Sequence, residues 1–257
     1  MHFVDLETAR TFDGPVLLVA AALPSPWSEA AKSFFHVKQV DTALVRYRST
    51  DKEVIAWSGA DNVPVLFYKR EPRRTGWPEI LTFAERMGSG PSLVPKDDAD
   101  RIRLFGVAHE IAGEGGLGYC SRLIMIHGAF ATDGREGFPL PAAKYLARKY
   151  GYAEGLVPAA KQRIGNVLEL LHRMVEKNRV EGRSYLLGHQ LTALDIYLAT
   201  FLTPFVGVTE QECPGMMPQI HAAFGYLEKE LGSLVTEALA AHRASIFERH
   251  LVTPIEL

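Results

Sequence analysis

Three short segments bring together residue types that can do chemistry. Ser25-Pro26-Trp27-Ser28 lies where an apolar run gives way to a helical pattern. Backbone amides and a helix dipole at such a junction stabilise a developing anion, so a thiol held there would ionise more easily. Serine at a helix start is more often only an N-cap, so the segment gains weight from its surroundings. The second segment, Asn62-Val63-Pro64-Val65, opens an apolar run with proline. About one X-Pro bond in twenty is cis in folded proteins, and Pro64 is a candidate. The backbone of Val63 would then be free to pair with a peptide-like ligand, as edge strands do. The third segment runs Gly188-His189-Gln190-Leu191-Thr192-Ala193-Leu194-Asp195. Thr192 and Asp195 have the spacing of a reciprocal helix cap, which is a structural signal worth about 1 kcal/mol.

Other patterns are discounted. Gly113-Glu114-Gly115-Gly116-Leu117-Gly118 follows a helical segment rather than a strand, so it reads as a helix terminator and turn, not a dinucleotide loop. His109-Glu110 lacks the second histidine of a zinc-protease motif, and no metal is expected. Cys120 and Cys213 belong to no CxxC, which leaves reduced structural thiols.

The elements that must hold these segments follow from periodicity. Pro15 to Ala22 is a short continuous apolar run, suited to a strand buried on both faces. Trp27 to Val37 spaces Ala30, Ala31, Phe34 and Phe35 at helical intervals; Thr42 to Tyr47 reads as a strand and Asp51 to Ser58 as a helix ending at Gly59. Val63 to Tyr68 reads as a strand with proline at its start, and Trp77 to Met87 as a helix with Ile80, Leu81, Phe83 and Ala84 inward. Gly88-Ser89-Gly90-Pro91-Ser92 is the best linker. Beyond it, helical periodicity recurs to Phe247 with no convincing strand. The expectation is an α/β N-terminal domain over residues 1–88 and an all-α helical bundle over 89–257.

Composition narrows the function. Lys and Arg total 28 against 30 Asp and Glu, a net charge of −2, which gives no general attraction to nucleic acid or anionic lipid. The run at residues 15–23 has the length of a signal-peptide core, but Asp5, Glu7 and Asp13 precede it where an export signal needs net positive charge. No segment reaches the ~20 apolar residues of a membrane span. A cytoplasmic protein with a small-molecule partner is expected.

The order of strand, Ser-Pro-aromatic, helix, strand, helix, Val-Pro, strand, linker and helical domain with Gly-x-x-x-Thr-x-x-Asp resembles the glutathione transferase superfamily from about Pro15 to Phe247. SPWSEAAK, residues 25–32, is similar to the omega-type active-site segment, with Ser25 where that group has cysteine. The resemblance implies a thioredoxin-like N-terminal domain, glutathione as co-substrate and a homodimer. It implies that Ser25 would hydrogen-bond the glutathione sulfur and favour its thiolate, with Trp27, Val63, Pro64, Gly76 and Trp77 on the glutathione side. Gly76-Trp77 stands where the family usually places an acidic residue or Gln followed by Ser to hold the γ-glutamyl group. Phe105, His109, Tyr119 and Arg122 would line a second-substrate pocket. The reaction implied is attack of the thiolate on an apolar electrophile. The alternative is a non-catalytic binding or assembly module on the same fold that has lost the glutathione site, and Gly76-Trp77 supports it.

Overall fold

A computed structural model of the chain describes residues 1–257. Its elements in order are β1 (His2–Phe3), α1 (Leu6–Thr11), β2 (Val16–Ala20), α2 (Pro26–Val37), β3 (Ala43–Tyr47), α3 (Lys52–Ser58), β4 (Val65–Phe67) and α4 (Trp77–Met87). The helical half follows with α5 (Asp98–Ala112), α6 (Leu117–Ala131), α7 (Leu140–Lys149), α8 (Val157–Val180), α9 (Ala193–Leu202), α10 (Pro218–Leu231) and α11 (Glu237–His250). The sheet order is β1-β3-β2-β4, so β2 is central, parallel to β3 and antiparallel to β4. All five residues of β2 are buried, which is why its sequence is apolar without alternation.

Two elements had no counterpart in the sequence reading. β1 and α1 precede the central strand, and Asp5 caps α1 by accepting from the Thr8 amide at 2.8 Å. β1 spans two residues, too few for a period-2 pattern to show. Its partner is the far edge of β3.

The glycine-rich segment after α4 is no free tether. The buried Lys38 ammonium donates to the carbonyls of Gly90 at 2.9 Å and Pro91 at 3.1 Å, and pairs with Glu85 at 3.4 Å. A Cβ on Gly90 would lie 2.1 Å from the Val37 carbonyl, so glycine permits close approach of two backbones here. One contiguous cluster of 57 buried residues runs from Leu17 and Phe34 through Leu194 to Ile255, so the sheet's inner face and the helices share a core. α9 is buried at every position and lies against α2. A smaller cluster lies under α1 and α3 on the other face of the sheet. No helix is long and apolar enough to cross a membrane.

Candidate active site

β2 ends at Ala20, and the chain reaches α2 through a turn in which Ala22 takes a left-handed conformation, φ 56°. That conformation disfavours side chains. It is held by a bond from the Met217 amide to the Ala22 carbonyl, 3.2 Å. Pro26 at the first helical position keeps Ser25 extended, with φ −66° and ψ 121°.

Ser25 is the N-cap residue by backbone, yet its side chain makes no capping hydrogen bond. The residue is buried. Nε of Arg243 is the one buried side-chain nitrogen or oxygen without a partner in the chain, so the uncommitted Ser25 hydroxyl retains an opening to solvent. Ser28, one turn on, is occupied: its hydroxyl accepts from the Ala20 amide at 3.2 Å and ties α2 to β2. The amides of Trp27 and Ser28 are unpaired in the first turn, as helix geometry requires. Donors therefore converge where Ser25 stands.

The antiparallel register pairs Leu18 with Val65, which sets Pro64 and Val63 alongside the end of β2 from which the chain leaves for Ser25. The Val63–Pro64 peptide is cis. Val63 lies outside β4, and its backbone makes no hydrogen bond. An acceptor-and-donor edge thus lies at the same end of the sheet as the α2 N-terminus.

Glu29 sits in the first turn of α2, where a carboxylate competes with any bound anion. It is paired with Lys32 at 2.8 Å, and the Lys32 ammonium also donates to the Glu256 carbonyl at 2.6 Å. Burial pushes the Glu29 carboxyl up and Lys32 opposes that shift. Lys32 thereby offsets the Glu29 charge.

Trp27 is not free for a ligand's polar group. Its indole nitrogen donates to the Ala112 carbonyl at 2.9 Å, and its ring meets Phe201 edge-on at 4.8 Å. Gly118 lies so close that an added Cβ would come within 2.6 Å of the indole. The indole fastens the first turn of α2 to α5, α6 and α9.

Gly76-Trp77 behaves similarly. The Trp77 ring packs against Tyr197 at 5.5 Å and Phe105 at 6.3 Å, and the Trp77 carbonyl accepts from the Tyr197 hydroxyl at 3.2 Å. The Gly76 amide is taken by the Glu79 carboxylate at 3.2 Å, and Pro78 contributes no amide. The start of α4 therefore offers a ligand few donors and already holds an anion of its own. Sequence reasoning passed over Glu79, although a glutamate three residues after a helix cap is a known signature.

The four residues expected in the second pocket make separate contacts. Phe105 stands by Trp77, whereas the Arg122 guanidinium lies over the Trp27 ring at 5.2 Å. The Tyr119 hydroxyl donates to the Tyr150 carbonyl, which turns it toward α7. His109 is exposed at the last turn of α5.

Solved structures with this architecture cover nearly the whole chain. A glutathione transferase family member from Pseudomonas fluorescens pf-5, solved with two glutathione molecules bound, superposes with a TM-score of 0.63 at 14% identity, covering 94% of this chain and 93% of that one. The chain has the glutathione transferase fold. A glutathione S-transferase from Methylobacillus flagellatus KT with glutathione bound gives 0.59 at 15% identity, covering 91% of this chain and 95% of that one. Glutathione transferase Omega 3C from Trametes versicolor gives 0.53 at 14%, covering 90% and 92%. No protein-family model matches, and no curated protein does. At these identities the likeness is one of fold.

Proposed function

We propose that this protein is a thiol-dependent transferase of the glutathione transferase type. The carrying observation is the Ser25 hydroxyl, buried at the N-terminus of α2 and committed to no cap. In this reading the glutathione cysteinyl backbone pairs with Val63 beside Pro64, and its sulfur receives hydrogen bonds from Ser25 and the first-turn amides. Those donors favour thiolate over thiol. The sulfur then attacks an electrophilic carbon: a C–S bond forms, and the leaving group departs with the bonding pair. Serine cannot form a mixed disulfide, so thiol–disulfide exchange through this position is excluded. The reading includes a cytoplasmic homodimer with a domain boundary near Gly88.

Calorimetry with free glutathione tests it. Binding at up to millimolar concentration, together with thiolate absorbance of the bound ligand at neutral pH, is the expected result; absence of both removes the transferase reading. A binding module that lost the glutathione site is the second reading. The Glu79 carboxylate on the Gly76 amide favours it, because the α4 start is where the γ-glutamyl group would dock.

A further inference from the structure

Four cationic side chains are buried: Lys32, Lys38, Arg122 and Arg243. Burying a charge without a partner is expensive, so each calls for an explanation. Lys32 has Glu29 at 2.8 Å and Lys38 has Glu85 at 3.4 Å, each supplemented by carbonyl acceptors. Arg243 reaches the Thr203 hydroxyl at 3.5 Å and feels Glu212. Arg122 has none of these. Arg122 is 7% exposed, and its guanidinium lies over the face of Trp27.

A ring face satisfies the charge in part and leaves five N–H donors without acceptors. Those nitrogens are not sealed in, since Arg243 Nε is the one buried, unpartnered side-chain nitrogen in the protein. The guanidinium therefore keeps some contact with solvent. Its place is also fixed. The Trp27 ring beneath it belongs to the first turn of α2, two residues after Ser25. No carboxylate pairs with Arg122; Glu110 is engaged with Arg163 and Glu29 with Lys32.

We infer that Arg122 is the receptor for a carboxylate or similar oxyanion on an aromatic molecule bound next to Ser25. The Trp27 ring under the cation, itself edge-on to Phe201, favours an aromatic body. A planar guanidinium offers the paired donors that a carboxylate accepts bidentately. Resting on the transferase reading, this makes the electrophile an aromatic acid rather than a neutral compound.

The test needs no turnover. Binding of 3-nitrobenzoate and of its neutral counterpart 3-nitrobenzamide is measured by calorimetry, without thiol, on wild type, Arg122→Met and Arg122→Lys. Wild type should prefer the benzoate, and Arg122→Met should weaken it about 10- to 100-fold, the scale of a charge-assisted pair, while changing the benzamide less than about two-fold. Arg122→Lys should fall between. Equal binding of the two probes to wild type overturns the inference, as does an Arg122→Met variant that holds the benzoate unchanged. If Arg122→Met does not fold, wild-type discrimination and its partial loss in Arg122→Lys decide. A glutathione titration of the same proteins separates the sources of the carboxylate. Weakened glutathione binding with unchanged benzoate binding assigns Arg122 to the tripeptide and sinks the proposal. Benzoate preference without glutathione binding upholds Arg122 and ends the transferase reading.

Discussion

The indole nitrogen of Trp27 donates to the carbonyl of Ala112 at 2.9 Å, joining the first turn of α2 to the last residue of α5. Ala112 ends its helix, so its carbonyl has no intrahelical partner. Replacing Trp27 with Phe keeps an aromatic ring and removes the donor. A loss of about 1 kcal/mol is expected, read from the shift of the denaturant midpoint. An unchanged midpoint would show that water serves Ala112 equally well.

Ser25→Ala removes a donor that acts on the charged form of a bound sulfur. The apparent pKa of glutathione thiol on the enzyme should rise, and turnover with a generic aromatic electrophile should fall by about one to two powers of ten. Affinity should change far less, because the peptide backbone contacts remain. A variant with the wild-type pH–rate profile would reduce Ser25 to a helix-start residue.

At α4 the Glu79 carboxylate occupies the anion position and Pro78 withholds an amide. Glu79→Gln should therefore tighten glutathione binding about two- to five-fold, the scale of a helix-terminal charge, and Pro78→Ala should add to it. Calorimetry reads both. Affinities equal to wild type would mean that the γ-glutamyl carboxylate docks elsewhere.

Asp195 is fully buried and accepts four hydrogen bonds: from the Leu186 amide at 2.8 Å, the Thr192 amide and hydroxyl at 2.9 Å each, and His242 Nε2 at 3.1 Å. The carboxylate reaches back to the Thr192 amide as the capping-box spacing indicates, and takes the Thr192 hydroxyl as well. Asp195→Ala leaves several buried donors unsatisfied and should cost about 3 kcal/mol or more, well above an ordinary cap. A loss near 1 kcal/mol would show that the cavity rehydrates.

Both thiols should be inert in the native protein. Burial raises Cys120, with Arg163 opposing, and pushes Cys213 up to about 12. The thiolate is the reactive form, so at pH 8 neither cysteine should react with a disulfide reagent until denaturant is added. Fast labelling under native conditions would refute that.

The sequence by itself determined the order of elements from β2 to α11, because long apolar periodicities, prolines and caps are local signals. α4 spans Trp77–Met87, as its pattern indicates. It also marked Ser25, Val63 and Pro64 as a possible site, since a strand-to-helix junction and a Val-Pro are legible within a few residues. What a side chain faces is not local, and tertiary structure alone decided it. Trp27 and Trp77 read as ligand contacts and are committed to packing, because α9 brings Phe201 and Tyr197 against them from far along the chain. Tyr119 and Arg122, three residues apart on α6, are claimed by different neighbours, the Tyr150 carbonyl at the end of α7 and the Trp27 ring of α2. Lys38 turned a flexible-looking glycine stretch into a docked one, since only the folded chain places its ammonium against those carbonyls. Which cation lacks a carboxylate is likewise a property of the fold: near-equal numbers of acids and bases in the sequence say nothing about which of them meet.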